Sequence, residues 1–129
     1  MADPVLLDPL PTYTVRVHRL DPTLAELRIE FADLPPDVEV RGRLMGPRCK
    51  GFSTVEVAYP IQMLAHPVFC VLIPEPIYWS AERPFVYEGP VEFRRDGELV
   101  GKIAVSFGIN SLKEPRTQGG RRPQPKNAE

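Results

Sequence analysis

Proline is spread so evenly along this chain that a long helix has almost nowhere to form. The sequence holds 16 prolines and 9 glycines, and three glycines interrupt even the longest proline-free stretch, Val91 to Glu114. Helical bundles, coiled coils and Rossmann-type sheets are therefore poor interpretations, because an interior proline removes a backbone donor and clashes with the preceding turn. A high proline and glycine content can also indicate disorder, but 43% of the residues are hydrophobic and fall in ordered patterns. The chain is therefore expected to form one small all-β domain.

The charge balance disfavours functions that depend on a strong overall field. Charged residues make up 26% of the chain and the formal net charge is −1, so no global potential favours nucleic acid or a membrane as partner. From Lys113 onward, five basic residues stand against two acidic ones, without aromatic residues between them. This composition is typical of a solubilising tail, and contact with nucleic acid or an acidic partner is the alternative. We expect no nucleic-acid partner and no membrane partner.

The start of the chain and its two cysteines predict a cytoplasmic protein. Residues 1–11, MADPVLLDPLP, lack the basic region and apolar core of a signal peptide. The longest apolar run, Val68 to Ile73, is far too short to span a bilayer. Cys49 and Cys70 are too few for a disulfide scaffold and have no zinc spacing, so we expect two reduced thiols.

Alternation of apolar and polar residues recurs along the chain and predicts seven strands. Seven short strands predict a two-layer antiparallel β-sandwich, with a small closed barrel as the alternative. The unalternating run in the fifth strand is typical of a strand covered on both sides. The inward-facing sets are Tyr13, Val15 and Val17; Leu27, Ile29 and Phe31; Val38, Val40 and Leu44; Val55, Val57 and Tyr59; Val68 to Ile73; Phe85, Tyr87, Val91 and Phe93; and Leu99, Ile103, Val105 and Phe107.

Turn signals separate these strands. The prolines of Leu34–Asp37 deny the backbone ladder bonds, and Gly46-Pro47 predicts a loop over Met45 to Phe52. Asp96-Gly97 predicts a tight hairpin, because both residues tolerate positive φ angles. The predicted organisation is a flexible N-terminus over residues 1–11, one sandwich over residues 12–112 and a disordered basic tail over residues 113–129.

The stretch from Ile73 to Asn110 is more specific than its periodicity. It has a tryptophan in a proline-rich crossing, a Pro-x-x-Tyr that opens a strand, an Asp-Gly hairpin and a last strand that ends in Phe-Gly. The residues in those places are Trp79, Ser80, Pro84, Tyr87, Asp96, Gly97, Phe107 and Gly108. This order resembles the closing half of the immunoglobulin-like β-sandwich domain of glycoside hydrolase family 2, the β-galactosidase, β-glucuronidase and β-mannosidase group. The resemblance implies an immunoglobulin-like type for the seven-stranded sandwich.

Two places depart from the pattern of that family. Gly89-Pro90 interrupts the strand that Tyr87 begins and predicts a bulge or an edge position, since proline cannot donate into a central ladder. Asn110 stands where the family often has arginine, which argues against a following domain docked as in the full enzymes.

The resemblance implies a spacer rather than a catalyst. In that family the sandwich is non-catalytic and lies between a sugar-binding jelly roll and a catalytic (β/α)₈ barrel, which needs about 250 residues. Retaining glycoside hydrolysis needs two carboxylates roughly 5 Å apart, and none of Glu75, Glu82 and Glu88 maps onto a catalytic position of the family. The family hydrolyses O-glycosyl bonds, but the chain has no room for the barrel, so we assign no enzymatic activity.

We therefore expect a non-catalytic module for interaction or structural support, without a cofactor and with a protein partner. The alternatives are an accessory fragment of a split or decayed glycosidase in carbohydrate metabolism, and a module that binds carbohydrate directly. Sandwiches bind through their end loops or by pairing of edge strands. The Met45–Phe52 loop and the Gly89-Pro90 strand are the predicted places.

Two aromatic residues and one cysteine are candidates for binding. We expect Trp79 to pack with Pro84 and Tyr87 as a corner between the sheets; the alternative is that Tyr78 and Trp79 form a platform on which a sugar stacks. Cys49 lies between Arg48 and Lys50, and we expect an ordinary exposed thiol; the alternative is a reactive thiolate, which the two charges would favour.

No metal site is predicted. Cys70 lies inside an apolar run and is expected to be a small buried hydrophobe. His18 and His66 have no ligand spacing with each other or with either cysteine.

Overall fold

The computed structural model describes residues 5–110, and these form two packed antiparallel sheets without a helix. One sheet has the strand order β1-β2-β6-β5 and the other β4-β3-β7-β8. The all-β class and the two-layer sandwich are therefore confirmed, but the described residues form eight strands rather than seven. The strands are β1 (Thr12–Asp21), β2 (Leu24–Ala32), β3 (Glu39–Arg48), β4 (Val57–Pro60), β5 (Gln62–Ala65), β6 (Val68–Pro74), β7 (Val86–Arg95) and β8 (Glu98–Phe107).

The core is filled by side chains from both sheets. Phe31 of β2 meets Phe69 of β6 and Phe93 of β7 edge-to-face, with ring centroids 5.5 and 5.6 Å apart, so one aromatic cluster joins the two layers. Most predicted inward residues are buried, among them Val15, Leu27, Ile29, Phe31, Val38, Leu44, Val91, Phe93, Val105 and Phe107.

The strand absent from the sequence prediction is β5. All four of its residues are exposed, so it has no alternation between a buried and an exposed face. Hydrophobic periodicity detects strands by that alternation and therefore cannot detect this one.

The predicted fourth inward set is wrong for two of its three residues. Val55 precedes β4 and is 86% exposed, and Val57 is also exposed. Only Tyr59 packs against the core. Alternation indicates a strand without indicating its neighbours, and β4 is a four-residue strand at the edge of its sheet.

The alternation predicts that Leu99 faces inward, but Leu99 is 41% exposed and its neighbour Val100 is buried. The register of β7 and β8 shifts between Phe93 and Arg94, so β8 holds one extra residue at Val100. A bulge of this kind re-aims side chains, and here it puts Val100 into the core place predicted for Leu99.

The turn chemistry around β3 and β8 is largely as predicted. Asp96 and Gly97 connect β7 to β8 with φ angles of 52° and 82°, which confirms the hairpin. The predicted loop over Met45 to Phe52 begins too early, however, because β3 continues to Arg48 through a register shift that follows Met45. The extra residue of that shift allows the strand to pass Gly46-Pro47.

Gly89-Pro90 lies neither at a bulge nor at an edge, so that prediction is wrong. β7 is a central strand between β3 and β8, and its pairing with β8 runs regularly through Gly89↔Val105 and Pro90↔Ala104. On the other side, a Cβ atom on Gly89 would overlap the carbonyl oxygen of Arg43 on β3. The glycine therefore allows the β3 backbone to come close beside a proline that has no N–H to donate.

The prediction for the continuous apolar strand is only partly right. Cys70 of β6 is buried as expected, whereas Leu72, which lies on the same face two residues on, is 45% exposed. The outer face of β6 is therefore covered at Cys70 and open at Leu72.

The chain before β1 lies along the outer edge of β8. The Leu7 N–H donates to the carbonyl of Val100 at 2.9 Å, and Pro11 is buried. Residues 1–4 of the predicted flexible N-terminus and residues 111–129, which include the predicted tail, lie outside the described residues.

Candidate interaction surface

The motif that carries the family resemblance lies in the connection between β6 and β7 and at the end of β8. The Trp79 N–H donates to the carbonyl of Ile109 at 2.8 Å. A Cβ atom on Gly108 would lie 2.6 Å from Cδ1 of Trp79, so the half-buried indole rests directly on the Gly108 backbone. The Phe-Gly ending of the motif thus provides the flat surface that Trp79 covers.

Tyr87 is the buried member of this motif. It is 1% exposed, and its hydroxyl accepts a hydrogen bond from the Ile77 N–H at 3.0 Å, which ties the β6–β7 connection to β7. Its ring stacks on Phe107 at 6.1 Å and meets Tyr59 edge-to-face at 5.9 Å. Burial raises the pKa of the Tyr87 hydroxyl, with the hydrogen bond from Ile77 acting in the opposite direction and Tyr59 adding to the rise.

Pro84 is more exposed than the other two predicted corner residues, Trp79 and Tyr87. Pro84 is exposed and lines a groove with Cys49, whereas Tyr78 is half-buried and packs against the core. Of the three predicted corner residues, Trp79 therefore packs on Gly108 and Tyr87 is buried, whereas Pro84 is exposed.

Cys49 is buried, at 9% exposure, so the expectation of an ordinary exposed thiol is wrong. Its thiol donates to the carbonyl of Lys50 at 3.7 Å. The loop after β3 folds back on itself, since the Phe52 N–H donates to the Cys49 carbonyl at 3.0 Å and the Thr54 hydroxyl to the Pro47 carbonyl at 2.6 Å. These two bonds fix the shape of the loop that follows Cys49.

One of the two charges expected to activate Cys49, that of Arg48, is paired with carboxylates instead. The Arg48 guanidinium donates to Glu56 at 2.9 Å and to Glu88 at 3.1 Å, and these bonds raise the pKa of Arg48. The Ser106 hydroxyl donates to the same Glu88 carboxylate at 3.3 Å. Arg48 therefore joins the β3–β4 loop to the outer face of β7 and β8.

The loop after β3 and the start of β7 line an open groove of about 580 Å³. Phe52 stands beside it, with its ring centroid 5.7 Å from that of Phe85 and 5.6 Å from the Arg83 guanidinium carbon. The predicted loop and β7 therefore come together at this groove, and some of the exposed side chains that line it are apolar.

The largest apolar exposure lies directly after the groove, on residues that sequence reasoning did not select. We define the edge segment as Val55 to Ala65, which contains β4 and β5 and follows one side of the sandwich. Five of the eleven exposed large apolar side chains in the described part of the chain belong to this segment or to its neighbour Phe52. The five are Phe52, Val55, Val57, Met63 and Leu64. A signal was present in the sequence, because Val57 to Ala65 holds no charged residue.

No cluster of three metal-ligating side chains occurs among residues 5–110. His18 and His66 are both exposed. A ring nitrogen of His66 lies 3.1 Å from the Pro35 carbonyl.

Comparison with known proteins finds no match to this chain among family models, curated proteins or solved structures. Within the described residues, no helix has the length and apolar character that crossing a bilayer requires.

Proposed function

We propose that this chain is a non-catalytic, immunoglobulin-like β-sandwich that serves as an interaction module and binds a protein partner through its edge segment. The immunoglobulin-like type is supported by the strand order. When the eight strands are lettered A, B, C, C′, D, E, F and G along the chain, the sheet β1-β2-β6-β5 corresponds to A-B-E-D of that fold. The sheet β4-β3-β7-β8 corresponds to C′-C-F-G.

A second feature supports the same fold type. Immunoglobulin-like domains carry a tyrosine near the start of strand F whose hydroxyl bonds to the backbone upstream. Tyr87 is the second residue of β7, the strand that corresponds to F, and its hydroxyl is bonded to the Ile77 N–H. We extend the proposal to an origin shared with the spacer sandwich of family 2 glycoside hydrolases, for which the Trp79 to Gly108 motif is the support.

The observation that carries the proposed function is the concentration of exposed apolar side chains on one edge. Isolated exposed apolar residues are normal on a protein surface, whereas a grouped set marks an interaction site. Val55 and Met63 are 86% and 64% exposed, so these two side chains are hardly buried within the protein itself. Burial against a partner would remove this surface from water.

The test compares two exposed positions in the native cell. A tagged chain with Val57→Lys should lose the proteins that co-purify with the unchanged chain, because the charge is desolvated on contact. Leu99→Lys is the matched control, since Leu99 is similarly exposed but lies beside the β7–β8 hairpin. If both variants retain the same proteins as the unchanged chain, the edge segment is not the binding surface.

A further inference from the structure

The outer edges of the two sheets differ in how well they are protected against pairing with another strand. An unprotected edge offers free N–H and C=O groups, and proteins block it with charges, prolines, bulges or a covering segment. β8 is covered: Leu7 bonds to Val100, and the Tyr13 hydroxyl bonds to both the N–H and the carbonyl of Ser106, at 3.1 and 3.2 Å.

Two further edges carry other devices. β1 presents Arg16, His18 and Arg19, and its register with β2 shifts between Val17 and Arg19. β4 ends in Pro60, which has no N–H to donate. Charge and a bulge therefore protect β1, and proline protects β4.

β5 is the edge on which these protections are weakest. Its sequence, Gln-Met-Leu-Ala, has neither charge nor proline, and all four residues are exposed. One irregularity is present, because the register with β6 shifts between Met63 and Ala65. The shift shortens any ladder that β5 could extend, so a partner would be held largely by Met63 and Leu64.

We propose that the β5 edge is the contact between two copies of this chain related by a two-fold axis. The inference rests on the proposed function and names the partner. In a two-fold interface the same patch faces itself, so a charged residue near the axis would meet its own like charge. From Val57 to Ala65 the chain has no such residue, and the net charge of −1 gives two copies little mutual repulsion.

The absence of charge from residues 57–65 also argues against a strongly charged partner. Charged groups select and steer unlike partners to an interface, and residues 57–65 offer none to a basic or acidic surface. Pairing of two copies at β5 would leave the two β1 strands as the outer strands of the joined sheet. The charges and the bulge of β1 protect these edges, so no third copy would be added. The expected assembly is a closed dimer.

The first measurement is the mass of the full chain in solution, by sedimentation velocity or light scattering from roughly 1 µM to 1 mM, the range of weak contacts. The unchanged chain should approach twice its 14.5 kDa as concentration rises. Leu64→Lys should raise the dissociation constant at least about tenfold through like-charge repulsion, and Leu99→Lys should leave it unchanged. A single-chain mass throughout, or equal weakening by both variants, overturns the inference.

A charge-reversal pair makes the test specific for self-contact. Leu64→Lys and Leu64→Glu chains should each be monomeric alone and should form a mixed dimer when combined. Circular dichroism and thermal melting establish that each variant is folded, and Met63→Lys replaces Leu64→Lys if it is not. A mixture that stays monomeric overturns the inference.

The outcomes for this inference and for the proposed function are distinguishable. A monomeric chain whose Val57→Lys variant still loses co-purifying proteins would overturn the dimer and leave the interaction module in place. A dimer that is insensitive to Leu64→Lys while Val57→Lys retains every co-purifying protein would overturn both.

Discussion

The Tyr87→Phe substitution tests the bond that fixes the β6–β7 connection to the sandwich. Phenylalanine keeps the ring contacts with Tyr59 and Phe107 and removes only the hydroxyl that accepts from the Ile77 N–H at 3.0 Å. Because Ile77 is exposed, water can partly replace the lost acceptor. The expected loss is that of one ordinary hydrogen bond, about 1 kcal/mol in the free energy of unfolding.

A loss of about 1 kcal/mol is measurable by thermal unfolding, since it lowers Tm by roughly 4–8 °C in a domain of up to 100 residues. Tyr78→Phe is the matched control. It makes the same chemical change on a half-buried tyrosine for which no hydroxyl hydrogen bond occurs within residues 5–110. Equal melting temperatures for Tyr87→Phe and Tyr78→Phe would refute the reasoning.

The same substitution predicts a change in alkaline stability. Burial raises the pKa of Tyr87 above its ordinary value of 10.0. An unfolded chain ionises this hydroxyl near that value, so the folded state loses stability as the pH rises above about 10. Tyr87→Phe removes that contribution, and its melting temperature should fall less steeply than that of the unchanged chain above pH 10. An unchanged slope would contradict the burial argument.

Three further predictions concern close approaches and one ion pair. Gly108→Ala should displace Trp79, shift the emission of this single tryptophan and cost about 1–3 kcal/mol in unfolding free energy; unchanged fluorescence would contradict the contact. Gly89→Ala should cost about 3 kcal/mol or more in chemical denaturation, because the new Cβ overlaps backbone; a near-normal midpoint would contradict this. The Arg95 side chain donates a 2.8 Å hydrogen bond to Asp37, which holds the pKa of Asp37 below 3.8. Asp37→Asn should therefore reduce the loss of Tm on acidification below about pH 4. Identical acid profiles for this variant and the unchanged chain would disprove the prediction.

The candidate surface was only partly predictable from the sequence. The sequence predicts binding at the loop after β3 and at the Gly89-Pro90 strand. The groove beside Cys49 is lined by that loop and by Val86 and Glu88 of the strand, but not by Gly89 or Pro90. Val55 and Val57 were assigned to the core from their alternation, yet their exposure is what makes the edge segment a surface. A periodic pattern records which residues share a face, but whether another layer covers that face depends on segments distant in the chain.

The restriction of the backbone by proline and glycine is a local property, and it is enough to predict the all-β class and most of the turns. The alternation of apolar and polar residues is also local and predicts most of the core. Tertiary structure decided the rest. Gly89 lies in a central strand where the backbone of Arg43, a residue far away in sequence, comes too close for a Cβ atom. β5 is a strand only because β6 supplies its hydrogen-bonding partner, for its own side chains show no buried face. Strand neighbours and open edges result from non-local pairing, and that pairing determines which apolar residues remain for a partner.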